Sequence, residues 1–457
     1  MRTMILQCGG ALALSLLAFN VMAAVSADEA AKLGTTLTPS GAEKAGNADG
    51  SIPAWTGGLA KDAYPVDANH FLSDPFASEK PLFDITATNA DNYKAKLSEG
   101  QMAMLKRYPD YHIPVYPTHR TFSLPQAIYD AAKRSATAVT TLNDGNGLAN
   151  FGGSRYYAFP IPKTANEVLW NHITRYHGGN LQRTIVQATP QQNGDFTPIT
   201  FQEEEAVPQS MNLTAEDMEK NANILLYFKQ EVTAPARLAG NVLLVHETLD
   251  QVKEPRQAWI YNAGQRRVRL APQVAYDGPG TAADGLRTSD NFDMFSGAPD
   301  RYDWKLLGKK EMYIPYNSYK LASPTLKYAD IIKAGHINQD LTRYELHRVW
   351  EIEGTVKPGA RHIYAKRHMY LDEDSWQVAL VDHYDGRGQL WRVAEGHAEF
   401  YYNYQAAAYA IEALYDLNAG RYIALGMNNE EKHGVQAGQP AKMADYTPAA
   451  LRNEGVR

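Results

Sequence analysis

A chain of 457 residues with 44% apolar side chains and a formal net charge of −6 has ample material for a large hydrophobic core. That mild acidity excludes nucleic acid as the expected partner, because such binding is dominated by clustered Lys and Arg. The single cysteine, Cys8, leaves the rest of the chain without disulfides, thiol chemistry or Cys-ligated zinc.

The first residues read as a cleavable secretory signal. Arg2 supplies a positive start, Ala11 to Phe19 a short apolar stretch, and Val21-Met22-Ala23 the small residues at −3 and −1. Cleavage is expected after Ala23, with a second acceptable site after Ala27. The apolar stretch is shorter than the roughly 20 residues that cross a bilayer, and no later segment reads as a stable membrane span. Lipidation of Cys8 is not expected, since Gln7 stands where a small residue is needed and the apolar stretch follows the cysteine. Cleavage removes one charge, Arg2, and leaves 44 basic against 51 acidic side chains, a net charge of −7.

Residues 24–81 read as an extended, loop-rich N-terminal arm after one short helix, rich in Gly, Pro, Asn and Ala, with Trp55 and Phe71 to pin it to the body. Residues 82–427 are expected to form one elaborated domain, and 428–457 a polar tail with a short helix after Thr447. Four helices are expected within the domain. Ser123 and Pro125 start one that runs to about Leu142. Thr164 and Glu167 have capping-box spacing ahead of Val168, Leu169 and Ile173, with Gly178-Gly179 as the stop. Two more are expected over Ala215 to Phe228 and Tyr404 to Leu417.

The strongest signal is β, between about Ala236 and Phe400. Tyr344, Leu346, Trp350 and Ile352 alternate with Glu345, His347, Glu351 and Glu353. Ile363, Ala365, Met369 and Leu371 share one parity, and Trp376, Val378 and Leu380 follow before Leu390 to Phe400. Period-two alternation of this kind describes a sheet with a buried face. Asp372-Glu373-Asp374 and Asp385-Gly386-Arg387-Gly388 read as tight turns, so these strands should pair as an antiparallel meander. Gln257 to Tyr261 with Arg266 to Leu270 reads as a hairpin. Trp304 to Leu307 and Glu311 to Tyr316 read as another, around Gly308-Lys309-Lys310. Long strands in this number curl or close. The expected fold class is α+β, a large curved antiparallel sheet in an open half-barrel with helices against its concave face.

The chemistry of common enzymes is missing: there is no G-x-S-x-G elbow, no phosphate-binding P-loop and no H-E-x-x-H. Five of the thirteen histidines, His347, His362, His368, His383 and His397, fall in the terminal meander, without the spacing of a metal site, so no metal and no cofactor is expected. Asp372, Glu373 and Asp374 read as a solvated turn rather than a calcium loop. Glu203-Glu204-Glu205 is expected to face water. Arg267 and Arg269 share one face and offer headgroup contacts, against the blander reading of a charge-guarded edge. The positive signal is aromatic: 28 Tyr, 13 Phe and 7 Trp, side chains with an apolar body and a polar tip that suit either a packed core or the mouth of a cavity for an amphiphile.

Several strings together carry a resemblance: TLTPSGAEKAGNADGSIPAWTGG from Thr36, FPIPK from Phe159, WNHITRYHGG from Trp170, YNAGQRRVRLAP from Tyr261, GAPDRYDWKLLGKKEMYIPYN from Gly297, YELHRVW from Tyr344, DEDSW from Asp372 and DGRGQLWR from Asp385. They resemble an uncharacterised proteobacterial periplasmic family of unknown function, similar to outer membrane lipoprotein-sorting proteins, over nearly the whole chain after the signal. The resemblance implies a LolA/LolB-like open half-barrel whose relatives carry lipids across the periplasm. It also implies the company of an RND-type inner-membrane transporter and an outer-membrane protein. It assigns no ligand and no catalytic residue.

The resulting expectation is a periplasmic, non-catalytic carrier of a lipid or other hydrophobic molecule. Its cavity would be lined by Trp259, Tyr261, Trp350, Ile352 and Ile363, and by Met369, Leu371, Val378, Leu380 and Leu390. Two other readings compete: a structural adaptor between the transporter and the outer-membrane protein, marked by an exposed apolar patch, and a hydrolase using His347 or His383 with Glu345 or Asp382 as acid and base.

Overall fold

Alternating side chains bury one face of a strand only if a neighbour supplies hydrogen bonds along both edges, and this chain solves that problem with one very large sheet. The computed structural model describes residues 24–152, 156–272 and 274–454; the expected signal peptide lies outside the described residues. In chain order the strands are β1 (Phe83–Ile85), β2 (Ile113–Val115), β3 (Thr140–Leu142), β4 (Gly147–Ala149), β5 (Leu181–Ala188), β6 (Ile199–Ala206), β7 (Ile224–Ala234), β8 (Val242–Thr248) and β9 (Gln257–Asn262). They continue with β10 (Arg267–Leu270), β11 (Tyr302–Pro315), β12 (Tyr344–Val356), β13 (Lys366–Asp372), β14 (Val378–Tyr384), β15 (Leu390–Tyr401), β16 (Ala406–Asp416), β17 (Arg421–Met427) and β18 (Gln436–Ala437). The helices are α1 (Ala27–Ala30), α2 (Glu99–Arg107), α3 (Gln126–Ala138), α4 (Ala165–Ile173), α5 (Ala215–Lys220), α6 (Tyr328–Ile331) and α7 (Leu451–Glu454).

All strands except β3 and β4 join a 16-stranded sheet in the order β1-β2-β12-β13-β14-β15-β16-β17-β5-β6-β7-β8-β9-β10, with β11 also on β12 and β18 on β5. The sheet is antiparallel apart from the single β2–β12 pairing, and β10 does not return to pair with the other end. The fold is therefore the expected α+β open sheet.

Register fixes two faces. On the inner face Ile352, Met369, Val381, Ala394, Leu414 and Ile423 stand opposite one another across β12 to β17, and all are buried with Val168 and Leu169 of α4. On the outer face Val393, Ile411, Ala413 and Tyr415 pack with Met104 and Leu105 of α2. Helices thus cover both faces, and every residue of β14 is buried, the pattern of a strand walled in on two sides. Each fully buried Val or Leu contributes roughly 1.5–3 kcal/mol.

Four expectations are corrected. Tyr404 to Leu417 is not helical but holds β16, because its Ala-rich sequence lies between β15 and β17 and pairs with both; weak intrinsic preference yields to a ladder. The helix over Ala215 to Phe228 stops at Lys220, and Ile224 begins β7. The residues expected as a hairpin over Trp304 to Tyr316 instead belong to one strand, β11 (Tyr302–Pro315), with a register shift between Leu306 and Gly308 and Gly308 at φ +124°, a backbone position that glycine occupies without strain. The helix assigned to Ser123 starts after Pro125 and ends at Ala138. At α4 the Thr164 hydroxyl accepts the Glu167 amide as expected, while the Glu167 carboxylate accepts from Lys163. Trp55 holds the arm by donating to the Phe122 carbonyl at 3.0 Å, and Phe71 is buried.

Candidate functional site

A cavity of about 150 Å³ lies on the inner face, enclosed by β5 to β8, β15 to β17 and the segment 274–297, which runs across it as a strap. At about 10–15 Å³ per water it has room for roughly ten. Glu247 of β8 and Glu399 of β15 both line it, although six strand steps separate them. At about 4.8 Å per step those strands would stand about 29 Å apart on a flat sheet, so the sheet curls around this hollow.

The walls follow from alternation. Leu181, Arg183 and Ile185 point inward from β5, facing Glu205, Glu203 and Phe201 of β6. Phe228 and Gln230 of β7 continue the row to Val245 and Leu243 of β8. On the other side β16 contributes Ala406 to Ala410, all alanine except Tyr409, and Glu412. The strap is tied down at several points. Gln187 Nε2 donates to the Ala282 carbonyl at 2.8 Å, Arg392 to the Gly285 carbonyl at 2.8 Å, and Arg367 to Asp290 at 2.8 Å. Arg175 pairs with Asp293, and Glu412 accepts the Met294 amide at 2.7 Å.

The polar part of the wall is mostly paired. Arg183 meets Glu203 at 2.7 Å, which also takes a 2.6 Å bond from Gln230. Arg256 donates to Glu247 at 2.6 Å, and His177 bonds Glu205 at 2.9 Å. Burial opposes ionisation of Asp293, yet the Arg175 guanidinium overcomes it and holds that carboxyl at about 2. Among the described residues Glu399 has no such partner, and burial pushes it up to about 8. Burial, reinforced by the Asp293 charge, pushes Glu412 up to about 7.

None of the ten side chains expected to line a cavity lines this one. Trp350, Ile352, Met369, Leu371 and Val378 do share the inner face, but there α4 and residues such as Phe122 and Tyr129 fill the space over them. Leu380 sits in an outer-face cluster with Met312 and Val349, and Leu390 packs against the outer cluster of α2. Trp259 and Tyr261 point outward beneath Tyr446 and Leu451 of the C-terminal tail, while Ile363 is 40% exposed. Arg267 and Arg269 are exposed on β10, at the sheet edge. Parity groups residues by face but is silent on which stretch of a face is left uncovered.

Other sequence candidates are structural. Asp372, Glu373 and Asp374 are buried rather than solvated. His347, Asp372 and Asp374 bring potential ligand atoms within 4.8 Å of one another, but Asp374 already takes two bonds from Arg120, at 2.6 and 2.8 Å, and that guanidinium opposes a second cation. Burial raises Asp372 to about 6. His347 bonds Glu345 at 3.1 Å in a buried network, whereas His383 bonds Asn291 and its neighbour Asp382 bonds Ser98 on the other face. Neither pair opens on the cavity. Glu203 and Glu205 are inward, not solvated as expected; their parity with Phe201 was the available signal.

The site is thus a curled sheet around a strapped hollow whose wall combines apolar side chains with several ionic pairs. Residues 84–452 match the family described as "Protein of unknown function (DUF1329)", and the chain belongs to that family. It is 67% identical over 456 residues to an uncharacterized protein of Pseudomonas aeruginosa, covering 100% of this chain and 99% of the relative. Among solved structures it is similar to a DUF1329 family protein from Desulfovibrio piger, at 12% identity and TM-score 0.42 over 71% of this chain and 98% of that one. It is also similar to a putative outer membrane lipoprotein-sorting protein domain from Vibrio parahaemolyticus, at 13% identity and TM-score 0.41 over 60% and 92%. A third is a LolA superfamily protein from Nitrosomonas europaea, at 11% identity and TM-score 0.38 over 63% and 98%. No helix among the described residues is long and apolar enough to cross a membrane.

Proposed function

We propose that this chain is a periplasmic, non-catalytic binding or shuttle protein for a lipid or other hydrophobic or amphipathic molecule. It is exported through cleavage after Ala23 and serves an envelope transport system containing an RND-type inner-membrane transporter and an outer-membrane protein. The observation that carries this reading is the strapped cavity: Leu225, Phe228, Leu243, Val245 and the β16 alanines give it walls that favour hydrocarbon. At about 0.8 kcal/mol per buried CH₂, a chain of about ten methylenes gains on the order of 8 kcal/mol. Association costs of at least about 4 kcal/mol offset much of that, which leaves binding reversible, as a shuttle requires. The test is native mass spectrometry and lipid extraction of protein purified from the envelope, with titration by the neutral fluorescent probe N-phenyl-1-naphthylamine. A co-purifying apolar molecule and saturable probe binding are expected; an empty protein that ignores the probe defeats the proposal.

A further inference from the structure

Among the described residues, one cation of the cavity is left without an ion-pair partner. Arg175, Arg183 and Arg256 are each matched to a carboxylate. Arg287, on the strap, also lines the cavity and is only 4% exposed. Its Nε is buried without a hydrogen-bond partner, and among the described residues its side chain enters no ion pair and no hydrogen bond. Its guanidinium lies against Gly280, where an added Cβ would stand 2.8 Å from Cζ, and 5.7 Å from the Phe292 ring. The strap holds this arrangement through the Gly280 amide, which donates to the Arg287 carbonyl at 2.9 Å. The carboxylates whose fields reach it are Glu412, Glu203 and Asp290, and Asp290 is engaged with Arg367 and His362. Glu412 is engaged with the Met294 amide, and Glu203 with Arg183 and Gln230.

A buried charge without a counterion costs several kcal/mol, and a planar five-donor fork is suited to an oxyanion. We propose that Arg287 is the head-binding group of the cavity, and that the cargo is an anionic amphiphile whose carboxylate or phosphate takes the free guanidinium donors while its chain lies against β16. This rests on the carrier reading above and adds the sign of the headgroup.

The test is displacement of N-phenyl-1-naphthylamine from the whole secreted chain by dodecanoate, dodecyl phosphate, dodecanol, acetate and inorganic phosphate. The wild type should prefer the better of the two anionic amphiphiles to dodecanol by about tenfold or more. Arg287→Met should keep probe and dodecanol binding and lose that preference; Arg287→Lys should retain part of it. Gly280→Ala should weaken it by displacing the guanidinium. Without ligand, Arg287→Met should melt above the wild type, since it removes an uncompensated buried charge; a guanidinium that only props the strap would give the opposite shift. Probe binding with no preference for the anion, or a preference that survives Arg287→Met, overturns the inference and leaves the carrier intact. Acetate or inorganic phosphate competing as well as their alkyl forms would make this a free-anion site and overturn the amphiphile. Failure of the probe itself overturns the carrier reading instead.

Discussion

The inner face is one continuous surface with two fates. Across β12 to β15 its apolar row is sealed by Val168 and Leu169 of α4; across β5 to β8 and β16 the same alternation faces a hollow roofed by the strap. The strands differ little in periodicity. They differ in what is laid over them, a helix that inserts side chains into the groove in one case and a looped segment held at its anchors in the other. A cavity is therefore a failure of cover, made stable by tying the roof with polar bonds instead of packing.

That contrast can be broken from either side. The largest effect is expected at the roof's anchor. Asp293→Asn leaves Arg175 buried and unpaired, at a cost of about 3–5 kcal/mol, and hydrogen exchange should show the strap opening while β12 to β14 stay protected. In the filled half Leu169→Ala should cost about 2–5 kcal/mol in chemical denaturation with probe affinity unchanged.

A third effect, smaller within any one pH unit but accumulating over several, marks the cavity half. Glu399 and Glu412 keep their protons to about 8 and about 7 in the folded chain, whereas in the unfolded chain they release them near the ordinary glutamate value of about 4.3. Between those limits the unfolded state binds fewer protons, so stability falls as pH rises, by at most about 1.4 kcal/mol per unit for each group. Denaturation midpoints should therefore decline from about pH 5 to about pH 8, and the double variant Glu399→Gln with Glu412→Gln should decline less steeply; an unaltered slope would remove both carboxyls from this account. The smallest change in stability is expected for Ala408→Leu, below the roughly 1–3 kcal/mol typical of overpacking a filled core, because it grows into free space. The same substitution should reduce probe binding sharply, which is the clearest sign that the hollow, and not the filled half, holds cargo.

Much of the fold was legible in the residues. The meander from Tyr344 to Phe400 and the hairpin Gln257–Leu270 follow from alternation and turn residues; of the apolar set expected on one face, Trp350, Ile352, Met369, Leu371 and Val378 share it, while Leu380 and Leu390 lie on the other. Other elements were not legible because long-range pairing outweighed local preference. The run Ala406–Asp416 has good helix formers, yet its edges were claimed by β15 and β17. The acidic triplet at Glu203 resembles a solvated run until Arg183 and Gln230 come to meet it from neighbouring strands.

The candidate site was less legible still. The ten expected lining residues were chosen for being apolar and in phase, and half of them do lie on the cavity's own face, but the part of that face they occupy is covered. The sequence by itself determined the strands between Tyr344 and Phe400, their antiparallel order and the grouping of their side chains by parity, because those depend on neighbours within a few residues. Only the tertiary structure decided where the dry face was left open and which guanidinium was left without a partner, because both depend on segments far apart in the chain, α4 and the strap, arriving over different stretches of the same sheet.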